Sequence, residues 1–106
     1  MIRGELWTVS GGVYAAKPRP ALIIQDDLFD ATESIVVIPL TTAAVDAPTT
    51  RIAIPTICGI AQDSFAMIDK ITTVRRSNLG TRIGRVPTAL MADVERSLMV
   101  FLGLAS

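Results

Sequence analysis

Up to residue 68 the apolar residues of this chain come in short, β-branched-rich runs, and only beyond Pro87 does their spacing lengthen to three and four. That change of period restricts the chain to strands first and one helix last, because strand side chains alternate faces while helical ones return every 3.6 residues. Ala21-Leu22-Ile23-Ile24, Ile35-Val36-Val37-Ile38-Pro39-Leu40 and Phe65-Ala66-Met67-Ile68 are bounded by turn formers and predict buried strands. Residues 4–9 predict an earlier strand, with Leu6 and Thr8 on one face and Glu5, Trp7 and Val9 on the other, and residues 52–54 a further one. Turn-rich segments at 25–33, 43–50 and 55–63 separate these runs, so the sheet should be mostly antiparallel. Leu90, Met91, Val94, Leu98, Phe101 and Leu102 then share one helical face, with Pro87 suited to the first turn and Gly103 to the stop. The fold expected is mainly β with a C-terminal α-helix: a small, strongly curved barrel whose helix closes one end or packs on a partner.

One domain, 1–106, is all the length allows. Half the residues are apolar and none of the chain is repetitive, which fits a folded unit rather than a disordered tail. The longest apolar stretches fall far short of the ~20 residues that span a bilayer. Cys58 is the only cysteine, and Met1 is followed by Arg3 and Glu5 rather than by a basic and then apolar leader, so a cytoplasmic protein is expected.

Ten basic and ten acidic side chains balance, which excludes coating of nucleic acid by bulk charge. Their distribution is uneven: residues 1–50 hold three basic and six acidic groups, residues 51–106 seven and four. Lys70, Arg75, Arg76, Arg82 and Arg85 fall in an acid-free stretch that reads equally as a phosphate-facing strip or as a solvated loop. Histidine is absent, so the imidazole acid–base pair used by many nucleases is excluded. One cysteine and scattered carboxylates make no zinc ligand set, and Asp26, Asp27 and Asp30 lack the spacing and glycine of a calcium loop. No metal and no cofactor is expected.

Four collinear segments carry a resemblance. They are Arg3-Gly4-Glu5-Leu6-Trp7; Lys17-Pro18-Arg19-Pro20-Ala21-Leu22-Ile23-Ile24-Gln25-Asp26-Asp27; Ile38-Pro39-Leu40-Thr41-Thr42; and residues 59–73 with Asp63-Ser64 and Asp69-Lys70-Ile71. In order and spacing they resemble the MazF/PemK family of toxin–antitoxin endoribonucleases, across nearly the whole chain. The resemblance implies a CcdB/Kid-like barrel related to SH3, a homodimer, and a MazE-like antitoxin whose flexible acidic tail covers the active groove. It implies cleavage of single-stranded RNA by the ribose 2′-hydroxyl, leaving a 2′,3′-cyclic phosphate and a 5′-hydroxyl.

Under that resemblance Arg19 takes the position of the catalytic arginine and Thr41 that of the catalytic threonine. A planar guanidinium suits charge building on a phosphoryl group, and a hydroxyl can bond a non-bridging oxygen or orient the nucleophile. On residue pattern alone Arg19 reads as a turn-closing arginine and Thr41 as an ordinary strand residue, with Thr42 its one-register competitor. Lys17, Tyr14, Thr42, Ser64, Lys70 and Arg75 are the RNA-binding candidates, Tyr14 and Phe29 being the aromatics free to stack. Glu5, Asp27 and Asp69 are carboxylates available as a base, none of them assigned. Lys70 stands where the family commonly has glutamine, which leaves the preferred RNA sequence open. A CcdB-like gyrase poison and a non-catalytic SH3-like binding module are the competing classes; neither needs Arg19 together with Thr41.

Overall fold

The computed structural model describes residues 1–11 and 15–105, with side chains 15 and 16 also outside the description. Among the described residues seven strands run as β1 (Glu5–Gly11), β2 (Ala15–Ile23), β3 (Ser34–Thr41), β4 (Arg51–Ile54), β5 (Ser64–Met67), β6 (Thr72–Arg75) and β7 (Leu79–Arg85), followed by α1 (Thr88–Phe101). All pairings are antiparallel, in the order β4-β5-β3-β2-β1-β7, and β6 pairs with the same strand, β3, as β5 does. The expected mainly-β architecture with one terminal helix is what forms.

Two apolar clusters follow from strand alternation. Leu6, Leu22, Ile24, Ile38, Leu40, Ile54, Ala66 and Ile68 face Val86, Met91 and Val94 in the larger core beneath α1. The opposite parity, Val9, Ala21, Ile23, Ile35, Val37 and Val74, makes a smaller cluster partly covered by Trp7 and Leu79. Burying both sides of β2 and β3 explains why residues 21–24 and 35–40 read as unbroken apolar runs.

Two expectations change. The sheet coils strongly but is not a closed barrel: its end strands, β4 and β7, are not paired. The gap is bridged by backbone contact, since a Cβ on Gly84 would lie 1.8 Å from the Cys58 carbonyl oxygen, so only glycine allows the 3-10 turn Thr56–Cys58 to seat on β7. The apolar helix face also divides: Met91 and Val94 are buried, whereas Phe101 and Leu102 at its far end are exposed. Pro87 is the residue just before the helix rather than within its first turn, and Gly103 ends it at φ 73°.

Candidate active site

The β2–β3 ladder pairs Ile23 with Val37, Leu22 with Ile38 and Ala21 with Pro39, and then stops. Beyond it β3 continues with β5, through Leu40↔Ala66 and Thr41↔Phe65, while β2 stays on β1 through Pro20↔Thr8 and Arg19↔Val9. Carrying the ladder two residues further sets Arg19 opposite Thr41, on the face that holds Ala21, Ile23, Ile35 and Val37. The strand pair therefore ends in a polar pair at the rim of an apolar face. Prolines fit here because the β3-facing edge of β2 has no ladder before Ala21, and a proline belongs where no strand donor is required.

Where the strands part lies an open cleft of about 520 Å³ lined by Arg19, Pro39, Leu40, Thr41, Met67, Lys70, Thr72 and Thr73. Arg19 is exposed, and among the described residues no carboxylate pairs with it. Its guanidinium is available to an anion. The Thr41 hydroxyl accepts from the Ala43 amide at 3.2 Å, which fixes the oxygen and leaves its proton to donate. Among the described residues no carboxylate lines the cleft, and arginine stays protonated, so charge stabilisation and positioning are the chemistry it offers.

The wall opposite Arg19 arises from a slip of pairing. β5 meets β3 at Leu40↔Ala66 and β6 meets it at Val37↔Thr72, and the three residues gained between are accommodated by the 3-10 turn Ile68–Lys70. That turn brings Lys70 to the same cleft as Met67, Thr72 and Thr73.

The other sequence candidates are scattered. Lys17 is exposed on β2, two residues from Arg19, but does not line the cleft, and neither does the exposed Thr42. Ser64 is only 4% exposed, with its hydroxyl donated to the Gln62 carbonyl at 3.0 Å; alternation puts it on the buried face of Ala66, so it is a structural residue rather than a cleft residue. Arg75, on β6, borders a separate hollow with Ala31, Thr32, Glu33, Arg76 and Ser77. Tyr14 lies outside the described residues, and Phe29 is exposed on the 3-10 turn Asp27–Phe29, away from the lining. Pro39, Leu40, Met67, Thr72 and Thr73 line the cleft without having been singled out. Parity alone links Pro39 to Thr41; nothing periodic announces the other three polar and thioether groups, which depend on the slip.

The acid-free basic stretch is not one strip. Lys70 enters the cleft, while Arg76 donates to the carbonyls of Asp30 and Thr32. Arg82 pairs with Glu5, and Arg85 borders a hollow beside α1. Alternation and the β6–β7 turn send these side chains to different sides of the sheet.

Glu5, a candidate base, is buried and fully engaged. Burial pushes its carboxyl up, but donors from the Trp7 indole, the Arg82 guanidinium and the Ile2 amide outweigh that and hold it below the usual range. Asp27 accepts from the Arg3 amide and Asp69 pairs with Arg51. Burial raises the Cys58 thiol, which leaves it without the character of a nucleophile. Among the described residues no three His, Cys, Asp or Glu side chains converge as metal ligands, and no helix is long and apolar enough to cross a membrane.

Comparison with known proteins gives the geometry a context. Residues 2–102 match the family described as PemK-like, MazF-like toxin of type II toxin–antitoxin system. A probable endoribonuclease MazF of Mycolicibacterium smegmatis is 52% identical over 108 residues, covering 99% of each chain. A mycobacterial endoribonuclease solved in complex with its cognate antitoxin superposes with a TM-score of 0.83 at 26% identity, over 100% of this chain and 98% of the other. Mycobacterium tuberculosis toxin MazF-mt6 shares the fold at a TM-score of 0.85 and 19% identity, over 96% and 99%.

Proposed function

The chain belongs to the PemK-like, MazF-like toxin family of type II toxin–antitoxin systems and is an endoribonuclease, and on that premise we propose that it cuts single-stranded RNA at a short sequence without a metal ion, with Arg19 and Thr41 as its catalytic pair. The observation that carries this reading is that a guanidinium with no carboxylate partner among the described residues and an oriented hydroxyl, from two strands that diverge, line one open cleft.

In the reaction the ribose 2′-oxygen attacks the adjacent phosphorus, a P–O bond forms, and the bond to the 5′-oxygen breaks. The 2′-hydroxyl proton is lost and the leaving oxygen gains one, giving a 2′,3′-cyclic phosphate and a 5′-hydroxyl. Arg19 neutralises charge on the equatorial oxygens and Thr41 donates to one of them. Lys70 holds a neighbouring phosphate, with Lys17 and Arg75 further along the strand's path. Pro39 and Met67 offer apolar surface on which a base can rest. With no histidine in the chain and no carboxylate lining the cleft among the described residues, the rate owes most to positioning and charge, and a slow enzyme is expected.

An antitoxin with an acidic tail fits the same cations, and a relative solved with its cognate antitoxin supports such a partner. A second copy of the chain is the expected occupant of the far end of α1, where Met99, Val100, Phe101 and Leu102 are all exposed. Sedimentation as a monomer at micromolar concentration would remove that part of the reading.

The test is cleavage of a mixed RNA pool in EDTA with both new ends mapped. Arg19→Ala should lower the rate by roughly 10²–10³-fold, and Thr41→Ala by roughly 10²-fold, with folded protein in each case. Intact RNA across varied sequences, in the presence of folded wild-type protein, would count against the nuclease reading.

A further inference from the structure

Lys70 reaches the cleft only because the turn Ile68–Lys70 inserts three residues between β5 and β6, and that turn is clipped from one side. The Ile68 amide donates to the Thr50 carbonyl at 2.9 Å, and Arg51 Nη1 donates to the same carbonyl at 3.1 Å while pairing with the Asp69 carboxylate. Arg51 is well packed, its side chain 13% exposed, and it lies across from Met67, itself a cleft residue. Asp69 sits in sequence between Met67 and Lys70, both of which line the cleft, yet does not line it.

We propose that the Arg51–Asp69 ion pair is a positioning device that aims Lys70 into the cleft and keeps the neighbouring carboxylate from competing with RNA for the Lys70 ammonium. An unpaired Asp69 would be the anion nearest in sequence to that ammonium and would repel a phosphate brought to it. Paired with Arg51, it leaves Arg19 and Lys70 as the charged groups of the cleft, both positive. Arg51 and Asp69 are thus positioning residues acting through Lys70, and Asp69 is not the general base. This rests on RNA being the occupant of the cleft.

A double-mutant cycle tests it, read as kcat/KM on a single-site RNA and as the salt dependence of binding to the same RNA carrying a 2′-deoxy block at the scissile position. Lys70→Gln should lower kcat/KM several-fold, chiefly through KM, and flatten the log–log salt slope by about 0.7, one phosphate contact on a single strand. Lys70→Arg should restore both. Arg51→Gln should cause a comparable loss in the wild-type background and less than a twofold loss when Lys70 is already glutamine. Should Arg51→Gln fail to fold by circular dichroism, Asp69→Asn completes the cycle with Arg51 kept. Equal losses in both backgrounds, or no loss from Lys70→Gln, would overturn the proposal. So would a collapse of kcat in Asp69→Asn that persists beside Lys70→Gln, since that is the behaviour of a base. A wild-type protein that binds the blocked RNA but cuts nothing would strike the nuclease reading instead, and the binding arm would still report the coupling.

Discussion

Glu5 and Arg19 stand at opposite ends of solvation, and the difference separates a charge engaged within the fold from one open to solvent. Glu5 is buried among three donors; Arg19 is exposed with no carboxylate beside it among the described residues. Because the Glu5 carboxyl is held below its usual range in the folded protein, its ionised form stabilises the fold above the unfolded value, and the contribution is lost as pH falls through the lowered folded value. Urea midpoints should therefore decline from about pH 5 downward, and Glu5→Gln should be less stable at neutral pH but lose less on acidification. Parallel pH profiles for the two proteins would contradict this. Arg19 and Thr41, the proposed catalytic pair, stand out in the sequence through motif spacing alone, since neither periodicity nor composition marks them. Ser64 was misjudged for a reason the sequence contained: two residues before Ala66 on one strand, it shares a face that must be buried.

Among the elements, those whose apolar residues repeat were visible beforehand, and those that owe their place to pairing were not. β3 and β5 announce themselves as short apolar runs and α1 by its period, but β6 and β7, reading Thr-Thr-Val-Arg and Leu-Gly-Thr-Arg-Ile-Gly-Arg, carry too few apolar residues to do either. β2 likewise begins at Ala15, before the run at Ala21 that predicted it, because prolines at an open strand edge mimic a loop. The contact that covers β7 depends on two glycines. A Cβ on Gly84 would meet backbone atoms of Cys58 and Gly59, and one on Gly59, at φ 114°, would meet the Ile83 carbonyl oxygen at 2.3 Å. Backbone cannot yield as a flexible side chain does, so Gly84→Ala should cost about 2–3 kcal/mol or more in urea unfolding. Gly84 is not part of the cleft lining, so RNA cleavage by whatever fraction remains folded should keep its sequence preference. An alanine variant as stable as the parent would mean that the turn at Thr56–Cys58 does not seat on β7.

For the whole molecule, charge decides how RNA can be held. Equal numbers of acids and bases leave no bulk attraction, and the basic residues that sequence groups between 70 and 85 are dispersed in space. Arg82 is occupied by Glu5 and Arg76 by backbone carbonyls, so neither is free to replace a counterion on a phosphate. What remains is Arg19 and Lys70 at the cleft, with the exposed Lys17 on β2 and Arg75 at its separate hollow. A single strand contributes a log–log salt slope of about −0.7 per neutralised phosphate, so two to four contacts predict a slope of about −1.4 to −2.8 per site for binding of uncleavable RNA. Such shallow dependence means that affinity must come largely from base contacts and stacking, and that a homopolymer lacking the preferred sequence should bind weakly even at low salt. A slope of about −4 or steeper would require phosphates to follow a longer basic path than the cleft provides, and the assignment of Arg82 and Arg76 to structure would then be wrong.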